Sequence, residues 1–175
     1  MRFFAPLAFA LAPVAAQAAE PPCVTPAEFT ALSTYALPSI ISGTAQRCAT
    51  ALPADAWLRH NGVQLAARYS VAKPAAWPIA KAAFFKISGN TANVDGASLL
   101  KSLPDSSLQP MLDALISGVI GQHLPAERCS IIDRLVQLLA PLPPENTAEI
   151  IAIAAGLGAK TGRAKLGTFS MCHAQ

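Results

Sequence analysis

Four cysteines, three histidines and ten carboxylates are the groups in this 175-residue sequence that could carry chemistry. The cysteines, Cys23, Cys48, Cys129 and Cys172, stand 25, 81 and 43 positions apart. A zinc site usually brings two ligands within a few residues of each other, so this spacing argues against a metal centre. With an even count, it argues for two disulfides. Spacing alone leaves three connectivities open. Thr25, Pro26, Ala27 and Glu28 read as a capping box with proline at the first helical position, which starts a helix directly after Cys23. Were that helix continuous to Cys48, a rise of about 1.5 Å per residue would part the two sulfurs by more than about 30 Å. Pro38 disfavours helical geometry at Leu37 and can open a second helix, so the segment is read as a hairpin that returns Cys48 towards Cys23. The expected pairs are Cys23 with Cys48 and, by elimination, Cys129 with Cys172. A reactive thiol at Cys172, lowered in pKa by His173, is the competing reading. Sequential neighbours seldom face each other productively, so bridges are preferred.

The remaining groups do not assemble into a catalytic pattern. Asp55, Asp95, Asp105, Asp113, Glu127, Asp133 and Glu149 are scattered, without the apolar-flanked pairing that separates the pKa values of an acid and a base. Glu20, Glu28 and Glu145 read as helix-start or tail charges. His60, His123 and His173 have no G-x-S-x-G turn or H-E-x-x-H motif to serve. His123 ends a helical pattern, where an imidazolium meets the negative end of the dipole. The tail GLGAKTGRAKLG resembles a phosphate-binding loop only in its glycines: Ala154 stands where the first glycine should, and a helix rather than a strand precedes it. The segment Lys73 to Lys86 gathers Trp77, Phe84, Phe85 and Lys81. It is read as a core-packing face with Lys81 snorkelling at its edge, in preference to a membrane stripe or a ligand wall. No catalytic residue, metal ligand or cofactor is assigned.

The chain start sets the compartment. Arg2, an apolar stretch from Phe3 to Ala16, and Ala16 and Ala18 at the two small positions of an A-x-A site form a signal peptide over residues 1–18. The run is shorter than the roughly 20 residues that span a bilayer and is interrupted by Pro6 and Pro13. Cleavage before Ala19 leaves 157 residues, 19–175, read as a single domain; loss of Arg2 takes the net charge from +3 to +2. So near-neutral a chain lacks the basic footprint of nucleic-acid binding. Hydrophobic residues make up 53% of the sequence, but alanine is the commonest of them and no second segment reaches bilayer length. Export places the cysteines where disulfides persist.

Helical periodicity runs through the rest. Phe29, Leu32 and Ala36, then Ile40, Ile41, Ala45 and Cys48, form stripes at helical spacing. A second helix is expected to start within Leu52–Ala56, with Asn61 and Gly62 as its weak point, and a third, carrying Trp77, Ala80, Phe84 and Ile87, is preceded or opened by Pro74 and Pro78. Residues 88–98, SGNTANVDGAS, read as the clearest loop. Leu112, Leu115, Ile116, Val119 and Ile120 form one strong helix, and Cys129, Ile132, Leu135, Val136 and Leu139 another. Ala114, Ser117, Gly118 and Gly121 make one side of the former small, inviting close approach of a neighbour. A last helix follows Pro143 and Pro144, is capped by Asn146 and Glu149, and stops at Gly158. No period-two run bounded by hairpin turns occurs. The fold expected is all-α: a compact bundle of six to eight short, proline-punctuated helices stapled by two disulfides. Export, staples and missing catalytic motifs point to a non-catalytic binding or interaction module. Its partner would be a protein, a peptide or a small apolar ligand in the cell envelope. A small envelope hydrolase with an unrecognised carboxylate or histidine and a stress chaperone are the rival readings.

Overall fold

The computed structural model describes residues 23–88, 94–160 and 170–172. The expected signal peptide, residues 161–169 of the glycine-rich tail and His173 lie outside these. The described residues form seven α-helices: α1 (Pro26–Cys48), α2 (Trp57–Ser70), α3 (Lys73–Ser88), α4 (Val94–Ser102), α5 (Asp105–His123), α6 (Cys129–Leu139) and α7 (Pro144–Lys160). Two two-residue strands, β1 (Cys23–Val24) and β2 (Ser170–Met171), pair in parallel. The all-α architecture and its two disulfides are as the periodicity and cysteine count lead one to expect.

Helix α1 is the axis, and α2, α3, α5 and α7 all pack along it. Its start is the capping box: Thr25 N–H donates to Glu28 Oε2 at 2.8 Å, and Glu28 N–H donates to Thr25 Oγ1 at 3.2 Å. Lys86 adds an ion pair to the same carboxylate at 2.9 Å. Burial pushes the Glu28 carboxyl up, but the Thr25 backbone and Lys86 outweigh it and hold the group below its ordinary value. A carboxyl held lower when folded stabilises the fold above the unfolded pKa, and that contribution disappears as pH falls through the folded value. Glu28→Gln should therefore cost about 1 kcal/mol at pH 7, with the gap to wild type closing below about pH 4. Paired urea titrations at pH 7 and pH 3 measure this; a gap that is equal at both would refute it.

Helices α2 and α3 run back along α1. Gly62 meets the Ala45 side chain, Trp77 stacks on Tyr35 with ring centres 4.9 Å apart, and Lys86 reaches Glu28. Helix α5 then runs parallel to α1: Tyr35 hydroxyl donates to Gln109 carbonyl, Ser39 to Asp113, and Arg47 Nε to Leu124 carbonyl. Between these ties Gly43 faces the backbone of Ser117, where a Cβ would lie 2.8 Å from the carbonyl oxygen. Two apolar clusters divide α1. Leu37, Ile41 and Cys48 pack with Leu58, Leu65 and Tyr69 of α2, Cys129 of α6 and Ala148 of α7. Nearer the start, Tyr35 packs with Trp77, Ala80, Leu108 and Leu112.

The continuity of α1 overturns the expected cysteine pairing. Pro38 lies inside the helix and is buried, and packing by four neighbours offsets the roughly 3 kcal/mol that an internal proline costs. Cys23 and Cys48 are thus held at opposite ends of a 23-residue helix. The bridges are Cys23–Cys172, with Cα atoms 4.8 Å apart, and Cys48–Cys129, at 5.5 Å. Other local expectations are also corrected. Residues 88–98 are not loop throughout, since α4 begins at Val94. Helix α2 starts at Trp57 and passes unbroken through Asn61 and Gly62, where the missing Cβ admits Ala45. Helix α7 starts at Pro144, which leaves Asn146 and Glu149 inside it, and passes Gly158 to end at Lys160. The close approach expected on the small side of α5 occurs at Ser117, against Gly43 of α1, whereas Gly118 and Gly121 of that side face open space.

Candidate functional site

Three features of the surface are candidates. The first is a groove of about 400 Å³ between α1, α2 and α5. Pro38, Ser39 and Ser42 of α1 line it together with Val63, Ala67 and Ser70 of α2 and Ala114 and Ser117 of α5. Lys73 and Asp113 also line it. Lys73 Nζ lies 2.6 Å from Asp113 Oδ1 and 2.5 Å from Oδ2, and Ser39 Oγ donates to Asp113 Oδ1 at 2.9 Å. The same ammonium stands 4.4 Å from the centre of the Tyr35 ring. Burial, and then the Asp113 charge, push the Tyr35 phenol above its ordinary value, so it stays protonated and donates to Gln109. A carboxylate and an aromatic face thus both meet the Lys73 ammonium. The cluster ties α1, α3 and α5 together.

A second groove, of about 410 Å³, lies between the 52–56 turn, α2 and α6. His60, Trp57, Asp55, Asp133 and Ser130 line it. The principal groups here are also engaged. Asp133 Oδ1 accepts from Leu58 N–H at 2.6 Å, which caps α2 from a distant helix where its own N-cap residue, Ala56, offers no side-chain cap. His60 Nε2 lies 2.8 Å from the Ala54 carbonyl.

The third feature is helix α6. At about 100° per residue, Cys129, Val136, Ile132 and Leu139 share an arc of roughly 80°, and Leu135, Ile131 and Leu138 occupy the adjoining roughly 60°. The first arc faces inward: Cys129 is buried and the other three are half-buried. The second faces out, with Ile131 59%, Leu135 52% and Leu138 59% exposed. Among the described residues, only about half of the apolar face of α6 is covered. No protein-family model, curated protein or solved structure matches the chain.

Of the groups singled out in the sequence, Asp55, His60 and Asp133 line one groove, and the others are dispersed. All four cysteines are in disulfides. His60 and His123 lie on different helices, His123 exposed at the end of α5. Asp105 pairs with Lys81 at 2.6 Å, and that hydrogen bond, followed by the influence of the Trp77 indole, holds its carboxyl low. The indole N–H itself meets no acceptor at hydrogen-bond geometry. Trp77 is buried, with Phe84 and Phe85 packed against its cluster, which is the core role read for that segment. Among the described residues no three His, Cys, Asp or Glu side chains are placed to share a metal ion. Sequence reasoning missed the Lys73–Asp113–Ser39 cluster, whose members are far apart in the chain. It also read Leu135 as part of one continuous core stripe, although the width of the apolar arc could have shown a surplus.

Proposed function

We propose that this chain is an exported, non-catalytic interaction module that holds an amphipathic helix of a partner protein against the uncovered side of α6. The observation that carries the reading is the exposed stripe of Ile131, Leu135 and Leu138. These residues stand at i, i+4 and i+7, the spacing at which two helices pack side by side. An 11-residue helix is about 16 Å long, which suits a few turns of a partner helix better than an enclosed small molecule. The two disulfides and the reading of residues 1–18 as a cleaved leader support an oxidising compartment. No helix among the described residues is long and apolar enough to cross a membrane.

The test places a photo-crosslinking residue at Leu138 in the cell, with and without Ile131→Lys and Leu135→Lys, and a control crosslinker at exposed Gln122. One discrete adduct at Leu138, absent at Gln122 and lost in the double variant, is expected. The double variant should also melt within about 2 °C of wild type, because its targets are exposed. An adduct that survives both lysines would refute the site.

A further inference from the structure

The two disulfides differ in what surrounds them. Cys48 and Cys129 are 0% and 1% exposed, inside the cluster that joins α1, α2, α6 and α7. Cys23 and Cys172 are both partly exposed, at the β1–β2 ladder. Thiol–disulfide exchange needs a thiolate to reach one sulfur of the bond, so access separates the two bridges. They also hold different things. Cys48–Cys129 joins the end of the central helix to the start of α6. Cys23–Cys172 holds β2 beside β1, where Cys172 N–H donates to the Val24 carbonyl at 2.9 Å and the fully buried Val24 pairs with Met171. A two-residue ladder is too short to persist without tertiary support. Beyond β1, β2 also touches α7, but the packing of α2, α3, α5 and α7 on α1 does not pass through the ladder.

We propose that Cys23–Cys172 is a redox-operated clamp, opened selectively by a dithiol reductant, whose opening releases β2 from β1 while the helical body and the Cys48–Cys129 bridge stay intact. The step balances as an exchange. A thiolate of the dithiol attacks one sulfur of Cys23–Cys172 and displaces the other as thiolate. The second thiol of the reagent then resolves the mixed disulfide. Two electrons and two protons pass to the protein, leaving Cys23 and Cys172 as thiols and the dithiol as a disulfide. This inference is independent of the partner proposed for α6.

The experiment titrates the folded, oxidised protein with dithiothreitol, traps free thiols with iodoacetamide, and maps them by peptide mass. Amide hydrogen exchange and far-UV circular dichroism are followed on the same samples. When Cys23 and Cys172 are half labelled, labelling at Cys48 and Cys129 should be at least tenfold lower. The opened form should keep its helical signal and the protection of α1, and the Cys172 amide should exchange at least tenfold faster. Equal or earlier labelling of Cys48 and Cys129 would overturn the proposal. So would loss of helix on opening the first bridge, or an unchanged Cys172 amide after it opens.

Discussion

Replacing Cys48 and Cys129 together by alanine is expected to destabilise the protein by about 4 kcal/mol and to lower its melting midpoint by roughly 8–16 °C. The bridge closes a loop between positions 81 apart and so removes much of the freedom of the unfolded chain. Both cysteines are also buried, so alanine leaves the core short of two sulfur atoms. Since domains are typically stable by about 5–15 kcal/mol, a large share of the margin is at stake. Thermal and urea melts followed by circular dichroism, with Cys23–Cys172 verified intact by mass, provide the measurement. The urea slope should rise as well, because an unfolded chain freed of its inner loop exposes more surface. A midpoint within about 2 °C of wild type would show that the bridge adds nothing to stability.

The second large effect sets one substitution against itself at two places. Gly43→Ala puts a methyl 2.8 Å from the Ser117 carbonyl oxygen and 3.0 Å from its Cα, and neither backbone atom can swing aside. Helices α1 and α5 must separate, which stretches the ties from Ser39 to Asp113 and from Ser117 to the Ser39 carbonyl. Overpacking of this kind costs up to about 3 kcal/mol, and the better helix propensity of alanine returns about 1, leaving a net loss of about 2 kcal/mol. Gly118→Ala meets nothing within 4 Å and should gain about 1 kcal/mol from propensity alone. Chemical denaturation of the two variants should thus differ by about 3 kcal/mol, in opposite directions from wild type. Shifts of the same sign would mean that α5 does not approach α1 at Gly43.

What the sequence revealed follows the range of each interaction. The capping box from Thr25 to Glu28 spans three positions and is readable because all its parts are local. The helical class is readable for a similar reason, since a period of 3.6 repeats within a few turns. The disulfide partners are not local. They depend on whether α1 survives Pro38, and that depends on four helices encoded elsewhere. The start of α2 shows the same dependence: Ala56 is a poor cap, and the acceptor comes from Asp133 on α6. Asp113 looked unpaired because Lys73 is 40 positions away and Ser39 is 74. The α6 face was visible in composition, but its division into covered and uncovered arcs depends on where α2 sits.

The parallel ladder and the Cys23–Cys172 bond place both flanks of the described fold at one pole. A pull applied between chain preceding Cys23 and chain following Cys172 would run through one sulfur–sulfur bond and bypass the helices altogether. While that bond is closed, the helical body carries no tension and its α6 face keeps its shape under load. Once it is open, the same pull acts on α1 and α7 directly, while the Cys48–Cys129 bond still shields the chain between those two cysteines, so the load is divided between helix packing outside that loop and one remaining covalent link.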